Sequence, residues 1–96
     1  MNNNNSKTVG SSMEETRDKH IRYLRAINNP LRRNILKLLK NKHMTIKNLI
    51  KETNLDEKTL IWHLNILEWG YCIEKSIINN NCYYEITQEG KVIDYI

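Results

Sequence analysis

The sequence predicts a mainly α domain closed by a small β-hairpin, and three features predict it. Apolar residues recur at helical spacing in successive stretches between residues 13 and 70. The last two of these stretches are joined by a four-residue turn around Asn54. Beyond Gly70 the period shortens towards two, in runs rich in Ile and Tyr split by Asn79-Asn80-Asn81.

At 96 residues the chain has room for one domain and one core, which excludes a large catalytic scaffold. A hydrophobic share of 40% and a charged share of 27% are ordinary globular usage and suffice for a modest core. The opening MNNNNSKTVGSS is too poor in apolar residues to repay the entropy of ordering, so residues 1–12 are expected to form a disordered tail and residues 13–96 the folded domain.

The first helix is expected at 13–28, where Ile21, Leu24 and Ile27 form a stripe beside Tyr23. Asn29-Pro30 then marks a boundary. The residue before proline is pushed out of the helical region, Pro suits the first helical position, and Asn caps it. The second helix runs to about Lys40, with Leu31, Ile35, Leu38 and Leu39 on one face and Arg32, Arg33, Lys37 and Lys40 around the other. After the link His43-Met44, Thr45 caps a brief helix with Ile46, Leu49 and Ile50 inward and Lys47 and Lys51 outward. Asn54 falls where a tight turn needs positive φ, and Leu55 plugs the corner. Asp56 caps the next helix, whose core face is Leu60, Leu64 and Leu67 and which Gly70 ends as a left-handed terminator. Residues 71–78 and 82–87 pair as a hairpin, and Thr87 starts a short last helix carrying Val92, Ile93 and Ile96.

Helix, helix, helix-turn-helix, hairpin and helix is the order of a winged helix-turn-helix domain. Asn-Pro-Leu-Arg-Arg-Asn-Ile-Leu-Lys-Leu-Leu at 29–39, Thr-Asn-Leu-Asp at 53–56, Trp-His-Leu-Asn-Ile-Leu-Glu-Trp-Gly at 62–70 and Tyr-Tyr-Glu-Ile-Thr-Gln-Glu-Gly-Lys at 83–91 together resemble the ArsR-like winged-helix transcription regulators of bacteria and archaea. The resemblance spans 29–91. It implies double-stranded DNA as the partner, and a repressor that occludes a promoter. In such a fold the helix after Asp56 enters the major groove, where Glu57, Lys58, Ile61 and Trp62 would meet base edges. Arg32, Arg33, Lys47 and Lys51 would lie near backbone phosphates. His63 matches a position where such families often carry His, and a structural hydrogen bond is the expectation for it.

A homodimer is expected because the first helix and the chain end carry apolar stripes that so small a domain covers only in part, which assigns Ile21, Leu24, Ile27, Ile93 and Ile96 to the interface. A two-fold dimer sets its recognition helices roughly 34 Å apart and predicts an inverted-repeat operator.

Charge supports this reading unevenly. The formal net charge is +4, which suits a polyanion. Residues 30–55 carry seven Lys or Arg and one acid, whereas residues 56–96 carry three Lys and seven acids. The acidic half holds the helix and wing expected to touch DNA, which keeps open an alternative: a winged-helix protein-interaction module without direct DNA readout. No run approaches the ~18 apolar residues of a membrane span, and the expectation is a cytoplasmic protein. Cys72 and Cys82 are expected to be small buried thiols. The thiol and histidine patterns of the family's metal sensors do not stand in this sequence, so no metal or cofactor is expected. Neither a glycine-rich phosphate loop nor a nucleophile elbow is present, and no enzymatic activity is expected.

Overall fold

A computed structural model describes residues 7–96. Four helices, α1 (Met13–Ile27), α2 (Pro30–Leu39), α3 (Ile46–Thr53) and α4 (Glu57–Trp69), precede two antiparallel strands, β1 (Ile73–Ile78) and β2 (Asn81–Ile86), and a terminal 3₁₀ helix, Glu89–Tyr95. This is the winged helix-turn-helix architecture that the sequence predicts.

Local chemistry accounts for most boundaries. Asn29 accepts from the backbone N–H groups of Leu31 and Arg32 at the start of α2, with Pro30 in its first turn. Thr45 and Asn48 form a reciprocal capping box on α3. Asp56 caps α4 by accepting from Thr59 N–H at 3.1 Å. Asn54 takes φ 61°, the left-handed turn that joins α3 to α4, and Leu55 packs against the core beneath it.

The core lies where α2, α3 and α4 meet the base of the hairpin. Ile35, Leu36 and Leu39 from α2, Leu49 from α3, and Leu60, Leu64 and Leu67 from α4 are buried together with Ala26, Cys72 and Ile73. Each large side chain here contributes about 1.5–3 kcal/mol of apolar burial. The apolar stripe of α2 differs from expectation by rotation: Leu31 is exposed and Arg32 is buried, so the inward row is Arg32, Ile35, Leu36 and Leu39.

Gly70 ends α4 for a different reason from the one expected. Its φ is −91°, and the left-handed residue is Tyr71, at φ 69°. Tyr71 N–H donates to Glu68 O at 3.1 Å and Cys72 N–H to Leu67 O at 2.9 Å, the paired bonds of a Schellman closure. Glycine is needed at position 70 because α1 crosses here: a Cβ would stand 2.5 Å from Ala26 Cβ and 2.7 Å from Arg22 O.

The hairpin turn is tighter than the three-asparagine tip. Asn81 pairs with Ile78, leaving Asn79 and Asn80 as a two-residue turn with φ 52° and 68°, the signs of a type I′ turn. Met44, expected in a link, exchanges both backbone hydrogen bonds with Tyr84 and so tethers the hairpin to the segment before α3. The final helix is 3₁₀ rather than α. Thr87 organises its start, donating to Tyr71 O and accepting from Gly90 N–H.

Of the expected tail, residues 1–6 lie outside the described residues. Residues 7–12 are described and make specific contacts, though most of them are exposed. Lys7 N–H donates to Glu89, Lys7 Nζ pairs with Glu74 at 2.9 Å, Thr8 is buried, and Ser12 caps α1. These polar contacts supply what the apolar-poor composition does not.

Candidate nucleic-acid interface

The helix-turn-helix leaves both polar and apolar side chains exposed. The Thr45–Asn48 box starts α3 so that Lys47 and Lys51, four residues apart on one side of the helix, are both exposed. Thr53 donates from Oγ1 to Leu49 O and accepts from Leu55 N–H, fixing the turn at Asn54. The first turns of α4 then leave Glu57 and Lys58 exposed, Ile61 half-buried and Trp62 54% exposed, while Leu60 and Leu64 anchor the opposite face. Thr59 bonds hold the Asp56 carboxyl below its usual range, so the cap carries a full negative charge beside Glu57. Lys47 and Lys51 of α3 and Glu57, Lys58 and Trp62 of α4 are thus exposed on the two helices of the helix-turn-helix, with Ile61 half-buried between them in sequence.

Arg32 does not join them. It is 5% exposed, and its guanidinium donates to Ala26 O at 3.0 Å, to Arg25 O at 2.9 Å and to His63 Nδ1 at 3.2 Å. Those carbonyls end α1, where helical C=O groups lack partners and the helix dipole favours a cation. Arg32 therefore holds α1 to α2 and α4 instead of facing phosphate. Arg33 is half-buried and gives one donor to Ile27 O at 3.2 Å.

His63 is 4% exposed, in the structural role expected, with the Trp62 ring edge-on at 5.0 Å. Burial, and then the Arg32 charge, push its pKa below the ordinary 6.5.

The residues expected at a dimer interface divide. Ile21, Leu24 and Ile96 are exposed, but Ile27 and Ile93 are buried in the protein's own core. Leu24, Ile27, Asn28, Arg33 and Ile96 line a shallow cavity between the end of α1 and the chain end.

Sequence reading missed Trp69. It is 50% exposed, and with Arg25, Trp62, Asn65 and Ile66 it lines an open groove of about 440 Å³. The positions 62, 65, 66 and 69 have the spacing of one helix face, which is the signal that was available. Arg22 lies over the Trp69 ring, its guanidinium 4.8 Å from the ring centre.

The two cysteines are unlike. Cys72 is buried and its thiol is pushed up to about 12, chiefly by that burial; Cys82 is exposed on β2, against the expectation of two buried thiols. Among the described residues, no three His, Cys, Asp or Glu side chains gather as a metal site, and no helix is long and apolar enough to cross a membrane.

Comparison with known proteins bears on this geometry. No curated protein matches the sequence. Several solved structures are similar in fold, among them the following three. The homodimeric winged helix-turn-helix DNA-binding domain of Mb0332 from Mycobacterium bovis, described as a possible ArsR-family transcriptional regulator, superposes with a TM-score of 0.78 at 21% identity over 94% of this chain and 85% of that one. NolR from Sinorhizobium fredii gives 0.73 at 21% identity, covering 91% and 89%. HlyU from Vibrio cholerae gives 0.72 at 22%, covering 86% and 92%. The sequence model for bacterial regulatory proteins of the arsR family matches residues 29–68, which run from the cap of α2 to the end of α4. That family is one of transcription regulators and not of enzymes. Residues 29–68 of this chain are thus similar to the helix-turn-helix segment of arsR-family regulators, and the likeness to the solved structures shows the winged-helix fold around them.

Proposed function

We propose that this protein is a sequence-specific, double-stranded DNA-binding regulator that acts as a homodimer and represses by occluding a promoter. The observation that carries the reading is what the helix-turn-helix leaves exposed: Lys47 and Lys51 on α3, and Glu57, Lys58 and Trp62 in the first turns of α4. A helix of this kind fits a major groove, and two lysines beside it suit the phosphates at the groove's edge. Lys58 would meet guanine or a phosphate, Glu57 a cytosine amine, and Ile61 and Trp62 thymine methyls. Arg33 adds a phosphate contact through the donors it does not give to Ile27. Likeness to the homodimeric domain of Mb0332, and to BigR from Xylella fastidiosa, named as a transcriptional repressor, supports the dimer and the sign of regulation. Ile21, Leu24 and Ile96 are the exposed residues left to build the two-fold interface.

Selection of binding sites from random duplex DNA at two salt concentrations tests the proposal. An inverted repeat should emerge. Lys47→Ala and Lys51→Ala should weaken binding to every sequence and each flatten the salt slope by about one unit, whereas Lys58→Ala should alter sequence preference. Equal losses on all sequences from all three variants would remove these roles.

A second reading is favoured by the two half-exposed tryptophans on α4 and the acidic second half: a protein partner seated on Trp62 and Trp69. Selection that returns no duplex, with a stable protein complex lost on Trp62→Ala, would favour it.

A further inference from the structure

One contact between α4 and α1 runs through a single cation, Arg32, and contains no acid. Arg32 reaches across from α2, with two groups of donors on the carbonyls of Arg25 and Ala26 and a third on Nδ1 of His63. A guanidinium only donates, so the nitrogen facing it must offer a lone pair, and the imidazole proton sits on Nε2. The contact admits His63 in its neutral form alone. The charged groups facing the imidazole are Arg32 from α2 and, behind it, Arg25 from α1; within α4 its neighbour is the Trp62 ring. Among the described residues, neither His63 nor Arg32 has a carboxylate as hydrogen-bond or ion-pair partner. A second proton on His63 would cancel the acceptor and set two cations 3.2 Å apart with nothing to neutralise them.

We propose that His63 is a proton-operated latch between α1 and the recognition helix: the neutral imidazole holds Arg32 against the end of α1, and protonation releases Arg32, loosens α4 on its support and weakens duplex binding as the pH falls below neutrality. The DNA consequence rests on the proposed function above; the latch itself does not. The placement gives the switch its reach. Arg32 touches the helix that bears Leu24 and Ile21, and His63 follows Trp62 directly in the helix proposed to read bases, so one proton acts on both.

The test uses the full chain at fixed ionic strength between pH 8 and 5. NMR follows the imidazole of His63, the Nε–H of Arg32 and the backbone amides of residues 26–28, while duplex affinity is measured on the same samples. His63 should titrate below pH 6.5, and the Arg32 Nε–H and the amides should move with the same midpoint. In His63→Asn, whose Oδ1 can accept from Arg32 in place of Nδ1 but takes no proton, those signals should stay constant. Below the midpoint the wild-type protein should lose affinity by up to about tenfold per pH unit relative to this variant. The latch is overturned if His63 titrates while Arg32 and the end of α1 stay still, if it titrates at or above 6.5, or if both proteins share one affinity profile. Should the variant fail to fold, the wild-type NMR titration decides alone. Coupled titration with no duplex binding at pH 8 would support the latch and remove the proposed function.

Discussion

Replacing Arg32 with methionine separates an arginine that builds the fold from one that binds DNA. Methionine keeps much of the apolar stem and removes the guanidinium, so the bonds to Arg25 O, Ala26 O and His63 Nδ1 disappear together. Hydrogen bonds to a charged donor contribute about 1.5–3 kcal/mol each, a gross loss of about 5–9 kcal/mol. Relief of the desolvation of a buried cation offsets several kcal/mol of that, because a charge held by neutral acceptors is costly to bury. The expected net loss is about 2–3 kcal/mol. A domain of this size loses ~4–8 °C of Tm per kcal/mol, so thermal unfolding should move down by roughly 10–20 °C. Urea unfolding at pH 7.5 supplies the free energy directly, with Lys47→Met, an exposed position, expected within about 0.5 kcal/mol of wild type. An Arg32→Met protein as stable as wild type but weakened on duplex DNA would return Arg32 to the phosphates and contradict the account of the α1 end.

Four further outcomes follow from particular contacts. Gly70→Ala should destabilise by about 2–4 kcal/mol in the same urea experiment, because the added Cβ meets backbone at Arg22 as well as the Ala26 methyl. Asn80→Gly should stabilise by about 0.5 kcal/mol, since the second residue of this two-residue turn holds positive φ; a loss of stability would show that the Asn80 side chain does more than tolerate the turn. Stability should fall in acid before the carboxylates titrate. The folded His63 pKa lies below 6.5, so the unfolded chain takes the proton first; the contribution is whole above pH 6.5 and declines as pH falls through it, by at most about 1.4 kcal/mol per unit. His63→Asn should flatten that limb between pH 6.5 and 5. Finally, a thiol reagent at pH 8 should label the exposed Cys82 rapidly, while Cys72, raised to about 12 and buried, should react only on unfolding.

What could be read from the sequence was what a few neighbouring residues decide among themselves. Asn29-Pro30, Thr45 and Asp56 are caps by their own chemistry, and Asn54 takes its left-handed turn for reasons confined to four residues. The exposed lysines of α3 and the outward start of α4 follow from where Leu49, Leu60 and Leu64 must point. Distant partners decided the rest. Arg32 looks like a surface cation until α1 brings carbonyls from residues 25 and 26 and α4 brings His63. Gly70 looks like an ordinary terminator until α1 crosses it, which moves the left-handed position on to Tyr71. Ile27 and Ile93 carry the same periodic signal as Ile21 and Ile96, and only the packing shows that the first pair is consumed by the core. The bridge at Met44 is a single residue, too short for any pattern.

The central claim is that the start of α4 sits in a DNA groove with the lysines of α3 on its phosphates. Mapping amide and side-chain NMR shifts as the selected duplex is added tests it most directly. The largest changes should fall on Glu57, Lys58, Ile61 and Trp62, with Lys47 and Lys51 beside them, and should leave the exposed Ile21 and Leu24 of α1 unmoved. Shifts centred on Trp69 and Arg25, or on the wing alone with residues 57–62 silent, would contradict it.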